Sequence, residues 1–153
     1  MHLIISDETL RDGEQQIGVN FTNSDKIVIA RKLSEAGADQ IVVMPIVSEH
    51  EETLSKNLLR SELRNKIYAC TLLESKFIDH SLTLGFKNVI LLISLSDRLL
   101  KIKGITKKQN LDKAIAVCKY AKNKGLNIQC YGEDASRADN RYILKLIRGI
   151  QGY

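Results

Sequence analysis

The sequence of 153 residues predicts a parallel α/β fold, either an open doubly wound sheet or an incomplete TIM barrel of about five βα units. Short runs rich in Ile and Val recur along the chain, and each is followed by a longer segment with helical spacing. The fourth run has no polar alternation, as expected for a parallel strand covered on both faces. The five predicted strands are Leu3–Ile5, Gln40–Met44, Lys66–Thr71, Asn88–Leu95 and Asn127–Tyr131.

The predicted helices carry their own start and stop signals. Ser24 has the position of an N-cap for a helix over Asp25–Ala36, and Gly37 ends that helix. Two later segments begin with capping-box spacing, and the last segment of the chain has a helical period. These features are Ser48 with Glu51, Thr106 with Gln109, and Ala138–Ile150.

Composition indicates one soluble domain over residues 1–153. The chain is 44% hydrophobic and 27% charged, which is typical of a globular protein. No apolar run approaches the roughly 18 residues of a membrane span, and no secretory signal pattern is present, so we expect a cytoplasmic protein without a membrane partner. The net charge of +5 is spread along the chain among acids, which argues against a nucleic-acid partner.

A dense polar cluster follows the first predicted strand, where parallel α/β folds carry their function. Residues 6–16 include four carboxylates, together with Arg11 and Gln15. Hard divalent cations prefer oxygen ligands, and an adjacent arginine can hold an oxyanion that forms on a metal-bound substrate. The same composition fits a solvated acidic turn, so these residues alone leave both interpretations open.

A second cluster lies at the end of the fifth predicted strand, in residues 131–139. Glu133 and Asp134, with Ser136 and Arg137 nearby, have the chemistry to position a polar substrate or to exchange a proton. An ordinary helix start, in which Ser136 caps and the acids complement the helix dipole, explains the same residues. Taken alone, this cluster favours the helix start.

Together these motifs resemble the opening of the isopropylmalate, citramalate and homocitrate synthases. Residues 7–15 read Asp-Glu-Thr-Leu-Arg-Asp-Gly-Glu-Gln, and the order and spacing of later motifs agree over nearly all of the chain. The matching motifs are residues 7–15, 18–21, 26, 29–30, 37–41, 44–48 and 131–139. The chain is thus similar to the N-terminal part of a pyruvate carboxyltransferase-type barrel, a group that also includes hydroxymethylglutaryl-CoA lyase.

The resemblance implies an acyltransferase of amino-acid biosynthesis that binds a divalent metal (Mg, Mn or Zn) and condenses acetyl-CoA or another acyl-CoA with a 2-oxo acid. By similarity, Asp12 would be a metal ligand, and Arg11 would stabilise the developing oxyanion or enolate. Gln15 and the catalytic Glu133 would face the 2-oxo acid. His50, just after the second strand, is a further candidate for substrate contact or else a solvent-facing helix residue.

Three departures from the family pattern predict an active site that is incomplete on its own. The family has a His-x-His pair of metal ligands, whereas the histidines here are His2, His50 and His80. Residues 41–45 are one residue shorter than the family's motif and lack its acid, which removes a polar group from the pocket floor. The third departure is that strands six to eight of a complete barrel, typically about 250 residues long, have no counterpart in this sequence.

Three interpretations follow, and whether the chain is an enzyme stays open. The chain is one part of a split condensing enzyme, with a protein partner or a second copy completing the barrel. Alternatively, it is a non-catalytic relative that binds a small acid or a partner protein. The weakest interpretation is an open α/β binding module unrelated to acyl-CoA chemistry.

Overall fold

A computed structural model describes residues 3–153, and these residues contain one five-stranded sheet. The strands are β1 (Ser6–Asp7), β2 (Gln40–Val43), β3 (Ile67–Leu72), β4 (Asn88–Ser94) and β5 (Asn127–Glu133). They lie side by side in chain order, and every neighbouring pair is parallel. A doubly wound sheet reverses its strand order, so this order excludes that alternative. The prediction of an incomplete TIM barrel is confirmed as an open half-barrel of five βα units.

Six α-helices connect and follow the strands within residues 3–153. They are α1 (Asn23–Glu35), α2 (Glu49–Leu59), α3 (Ser75–Leu84), α4 (Asp97–Ile102), α5 (Lys107–Asn123) and α6 (Asn140–Ile150). Short 3-10 turns occur at Gly13–Gln15, Glu62–Asn65 and Ala135–Arg137. None of the helices in this part of the chain combines the length and the apolar character that crossing a bilayer requires.

The helix starts depend on local hydrogen bonds. α1 begins after Thr22, whose hydroxyl accepts from the Asp25 amide while the Asp25 carboxylate accepts from the Thr22 amide. The prediction of Ser24 as the cap is therefore wrong, because this reciprocal pair begins two residues earlier. Ser48 caps α2 as predicted by accepting from the Glu51 amide, but the Glu51 carboxylate bonds elsewhere and does not close the box.

The sheet separates two apolar layers. Residues such as Ile41 and Val43 point outward and pack with the helices in the main core. Val42, between them, points to the opposite face, as strand geometry requires. The inner layer consists of Val42, Cys70 and Ile90, packed by Met44, Tyr68, Leu92 and Tyr131. Both faces of the central strands are covered, which explains their continuous apolar sequence.

The first strand lies later than predicted. The prediction placed it at Leu3–Ile5, but pairing with β2 is confined to Ser6–Asp7. β2 begins only at Gln40, so Leu3 and Ile4 have no strand beside them and remain 71% and 59% exposed. The apolar residues 3–5 predicted the region of β1, but its exact start depends on where β2 begins.

The fifth strand is longer than predicted, and it carries the second polar cluster into the sheet. β5 pairs with β4 from Asn127 opposite Asn88 to Glu133 opposite Ser94. The next residue, Asp134, has φ of +61°, which ends the strand in a left-handed turn. α6 then begins at Asn140 rather than at Ala138.

The cap of α6 also differs from the helix-start interpretation of the second cluster. The Asp139 carboxylate accepts from the Arg141 amide at 2.9 Å and caps the helix. Ser136 lies within the 3-10 turn Ala135–Arg137 and is not the cap of α6. The proposed Ser136 cap is therefore wrong, and the acids at the end of β5 do not lie in the first turn of a long helix.

Candidate active site at the open mouth of the half-barrel

The loop after β1 is a tight turn that presents a guanidinium among carboxylates. The carbonyl of Glu8 accepts the amides of Arg11, Asp12 and Gly13 at 3.0, 2.8 and 3.0 Å. The Arg11 Nη1 donates to Asp12 Oδ1 at 3.0 Å and lies 3.9 Å from Glu8 Oε2. The Arg11 side chain is only 16% exposed, whereas Asp12 is 62% exposed. The turn thus holds the arginine inward and leaves the Asp12 carboxylate accessible.

A buried lysine ties this loop to α2. Lys26, on α1, is fully buried, and its Nζ pairs with Glu14 of the loop and Glu51 of α2. The Glu14 Oε1 also accepts from the Phe21 amide at 3.2 Å. A buried charge is stable only when it is paired and hydrogen-bonded, so the two glutamates and the lysine depend on one another.

Three of the predicted site residues line one cavity beside this loop. The cavity of about 320 Å³ includes Arg11 and Gln15 from the loop and His50 from α2. Its remaining walls mix apolar and polar side chains: Leu10, Glu14, Asn20, Phe21, Met44, Val47, Ser48 and Glu51. His50 is half-exposed, with Nδ1 3.7 Å from Glu51 Oε1. The fold therefore brings the arginine and both predicted substrate contacts to one pocket.

Glu133 lies at the end of β5, on the inner face of the sheet. Tyr131 packs on the inner layer, and Glu133, two residues later on the same strand, points to the same face. Glu133 is the register partner of Ser94 on β4. The Ser94 hydroxyl donates to Glu133 Oε2 at 2.7 Å, and the Lys103 ammonium lies 3.0 Å from the same oxygen. Glu133 is thus bound between the end of β4 and the residue that follows α4.

Opposing effects set the protonation of Glu133. Burial raises its pKa. The hydrogen bonds from Ser94 and Lys103 and the charges of Lys103 and Arg11 lower the pKa, and together they outweigh burial, so the pKa lies below the usual glutamate value. Glu133 is consequently a carboxylate at neutral pH. The contact of 3.0 Å between Ser6 Oγ and the Tyr131 hydroxyl places the carboxyl ends of β1 and β5 at the same mouth.

Beneath this mouth lies a partly polar interior. The Tyr131 hydroxyl is 3.0 Å from Ser6 Oγ, which joins β5 to β1 across the open side. Burial raises the pKa of Glu8 despite the opposing charge of Arg11. Burial also raises the pKa of the Cys70 thiol to about 11, so this thiol is neutral. The positive charge of Arg11 lowers the pKa of all three of these groups, Glu8, Cys70 and Glu133, and Lys103 adds to its effect at Glu133.

The residues present do not fit a complete metal site. Within residues 3–153, no three His, Cys, Asp or Glu side chains converge in a way that could hold an ion. Asp12 is an accessible oxygen ligand, but its close partner is Arg11. His80 pairs with Glu52 of α2, with Nε2 3.4 Å from Oε2, and His2 lies outside the described residues.

Sequence reasoning missed four polar residues of the mouth. Ser94 had a usable signal, because it lies two residues beyond inward-facing Leu92 on a strand. The helical spacing of residues 25–36 predicts that Lys26 faces away from the apolar stripe; this is wrong, because Lys26 is fully buried and paired with Glu14 and Glu51. Glu8 was seen only as one acid of a cluster, and Lys103 only as part of a basic stretch. Their roles depend on contacts between distant parts of the chain.

Comparison with known proteins identifies the family. The model of the HMGL-like family matches residues 2–152. The chain belongs to the HMGL-like family. The 2-isopropylmalate synthase of Sulfurisphaera tokodaii is 37% identical over 147 residues, which are 94% of this chain and 38% of that relative. The homocitrate synthase AksA of Methanocaldococcus jannaschii is 37% identical over 152 residues, which are 97% of this chain and 37% of that relative.

Two solved structures share the fold. The HMG-CoA lyase of Brucella melitensis superposes with a TM-score of 0.77 at 18% identity, covering 99% of this chain and 58% of that chain. The hydroxymethylglutaryl-CoA lyase of Pseudomonas aeruginosa gives 0.71 at 20% identity, covering 98% and 53%. The predicted family is confirmed, and the chain spans less than two-fifths of the length of the two synthases.

Proposed function

We propose that this chain supplies the N-terminal half of the active site of an acyl-CoA:2-oxo acid condensing enzyme. One observation carries the proposal: the Ser6 Oγ lies 3.0 Å from the Tyr131 hydroxyl, which brings together the carboxyl ends of the two edge strands, and these ends carry Arg11 and Glu133. Parallel barrels place their reacting groups at the carboxyl ends of the strands. The similarity to 2-isopropylmalate and homocitrate synthases supports acetyl-CoA and a 2-oxo acid as the substrates.

In this proposal each residue at the mouth of the half-barrel has a separate role. The Arg11 guanidinium stabilises the oxyanion or enolate, because a fixed positive charge in a partly buried site interacts strongly with developing negative charge. Gln15 and His50 line the cavity that receives the 2-oxo acid. Glu133, held as a carboxylate, accepts a hydrogen bond or a proton from the bound substrate.

A divalent metal (Mg, Mn or Zn) would serve the family reaction as a Lewis acid. Asp12 is the residue of this chain that would bind it, and one carboxylate does not make a site. The other ligands would have to come from polypeptide beyond residues 3–153. The roles proposed above for Arg11, Gln15, His50 and Glu133 do not require that ion to be positioned by this chain.

The proposal includes a protein partner, or a second copy of the chain, that closes the half-barrel. The outer edge of β5 is seven residues long, and the inner layer beside it is apolar. Proteins ordinarily pair or cover such edges. Light scattering of the 153-residue chain tests self-association directly. A monomer that unfolds cooperatively would count against closure by a second copy and against closure by a different polypeptide.

Calorimetric titration tests the substrate assignment. Pyruvate and 2-oxoglutarate are each titrated into the chain, alone and with Mn²⁺. We expect Arg11→Gln to weaken 2-oxo acid binding about tenfold or more, because a charge-assisted hydrogen bond contributes roughly 1.5–3 kcal/mol. Arg31→Gln is the matched control, since Arg31 is exposed on the outside of α1. Equal binding by wild type and Arg11→Gln would refute the proposed site.

A second candidate function is non-catalytic binding of a small acid or of a partner protein. It is favoured by the lack of a three-ligand metal group within residues 3–153 and by residues 41–45, which lack the acid of the family's motif. Asp12→Ala distinguishes the two. Once a partner polypeptide completes the barrel, a condensing enzyme loses Mn²⁺-dependent binding of the 2-oxo acid in this variant, whereas a non-catalytic binder keeps its affinity.

A further inference from the structure

The carboxylate of Glu133 is held by two groups from a neighbouring strand and helix. The Ser94 hydroxyl donates to Oε2 at 2.7 Å, and Lys103 Nζ lies 3.0 Å from the same oxygen. Lys103 also donates to the Ser94 hydroxyl. The Ser94 hydroxyl, the Lys103 ammonium and Glu133 Oε2 therefore contact one another in a closed triangle, which does not include Glu133 Oε1.

Backbone geometry explains why these groups meet. Ser94 and Glu133 are register partners at the last pair of β4 and β5, on the inner face that Leu92 and Tyr131 share. The short helix α4 follows β4 almost at once and ends at the residue before Lys103. This turn of chain brings the lysine back over the strand ends, where its side chain reaches both partners.

The pair between Lys103 and Glu133 is more than a surface ion pair. Exposed ion pairs contribute little to stability, and the Lys103 side chain is 44% exposed. The short distance between Lys103 and Glu133 would therefore not by itself indicate that Lys103 positions Glu133. However, Lys103 also contacts Ser94, which is only 3% exposed. Both residues line a cavity of about 210 Å³ with Leu72 and Leu92, at the carboxyl ends of β3 and β4. Ser94 and Lys103, the two groups that contact Glu133, therefore form part of the wall of a cavity at the strand ends.

We propose that Lys103 and Ser94 are positioning residues that fix Glu133 Oε2 at the mouth of the half-barrel. The catalytic role of Glu133 rests on the proposed function, but its positioning does not. A carboxylate with one oxygen fixed has a defined direction for the other oxygen. Such preorganisation is what a group needs in order to accept a proton or a hydrogen bond from a substrate.

The charged surroundings of Glu133 come from several elements. Lys103 contacts it after α4, and Arg11 acts on it from the loop after β1. Asp134, the next residue, is paired with Arg137 of the following turn. Glu74 and Lys113 line the cavity on the far side and lie 3.5 Å apart. Of these groups, Lys103 is the cation in direct contact with the carboxylate.

Carboxyl-carbon NMR of the chain labelled with ¹³Cδ-glutamate tests the proposal without any substrate. The Glu133 signal is assigned by its loss in Glu133→Gln, and its titration is then followed in variants. We expect Lys103→Met to shift the Glu133 pKa upward, because the ammonium that favours the charged form is gone. Lys103→Arg should return the titration toward that of the wild type, since it restores a cationic donor.

Two further variants complete the test. Ser94→Ala should also shift the pKa upward, and it provides an independent arm if Lys103→Met does not fold. Lys101→Met removes an exposed lysine of α4, two residues before Lys103, and should leave the Glu133 titration unchanged. An unchanged Glu133 titration in both Lys103→Met and Ser94→Ala would overturn the proposal, as would an equal shift in Lys101→Met. If the titration responds but no 2-oxo acid binds, the positioning stands and the proposed function falls.

Discussion

The polar groups that follow the two edge strands, β1 and β5, are held in place by different interactions. After β1, the loop is tied down by Lys26, which is fully buried between Glu14 and Glu51. After β5, Glu133 is placed by its strand register with Ser94, and its cationic partner is half-exposed. The first end therefore depends on a balance of buried charges, whereas the second depends on backbone pairing and close packing.

The largest expected effect comes from unbalancing the charges at the β1 end. Lys26→Met leaves Glu14 and Glu51 in partly buried positions without their cation. We expect the free energy of unfolding to fall by about 3–5 kcal/mol, because an uncompensated buried charge is strongly unfavourable. Urea denaturation followed by circular dichroism measures the loss.

Two variants show whether charge is the cause. Glu14→Gln with Lys26→Met and Glu51→Gln removes all three charges together and should recover much of the stability lost in Lys26→Met. Lys32→Met breaks an exposed pair on the same helix and should have little effect. A triple variant no more stable than Lys26→Met would show that packing, rather than charge, holds this end.

A smaller loss is expected from a steric change at the β5 end. A Cβ added at Gly132 would lie 2.4 Å from Leu95 Cδ1, which is closer than carbon atoms approach. Leu95 is buried, so it has little room to move. Gly132→Ala should therefore lower the free energy of unfolding by about 1–3 kcal/mol.

Gly152→Ala is the matched control for this steric test. Nothing lies within 4 Å of a Cβ added at Gly152, so its stability should stay close to that of the wild type. Thermal unfolding of both variants gives the comparison. Equal stability of Gly132→Ala and Gly152→Ala would mean that the β5 end is loosely packed and that strand register alone positions Glu133.

The smallest expected effect concerns pH and the cap of α6. The hydrogen bond from the Arg141 amide holds the pKa of Asp139 below its usual value. A lowered pKa in the folded state stabilises the fold at pH above the unfolded value of about 3.8, and this contribution is lost as pH falls through the lower, folded value. Asp139→Ala should therefore be less stable than the wild type at pH 7, with the difference shrinking in acid.

Asp139→Asn separates the cap from the charge, because asparagine caps a helix about as well as aspartate. We expect it to keep most of the stability at pH 7 while losing the pH dependence that Asp139 contributes. Denaturation midpoints between pH 3 and pH 7 provide the measurement. An Asp139→Ala deficit that stays constant over this range would show that the ionised carboxylate does not contribute through this bond.

Prediction from sequence succeeded where a feature depends on near neighbours. The Thr106–Gln109 capping box was predicted and is present in full. The Ser24 cap was wrong because two competing starts lay two residues apart, and only Thr22 makes the reciprocal bonds with Asp25. The position of β1 was wrong because it depends on where β2 begins.

The candidate site shows the same division. Arg11 and Gln15 were recognised within one polar cluster and motif after the first strand, and the structure brings them to one cavity. His50 reaches that cavity from a different element. Glu133 was recognised through a motif at the end of a strand, but its partners Ser94 and Lys103 were not. The catalytic, substrate and metal roles of these residues remain predictions.

The sequence by itself determined the five strand–helix units and the location of two polar clusters at strand ends, because periodicity and caps arise within a few residues of chain. Tertiary structure alone decided which charges meet. Lys26 pairs with glutamates 12 and 25 residues away, and Lys103 with a glutamate 30 residues away. Such contacts depend on strand register and on how helices pack over the sheet, and no local pattern encodes either.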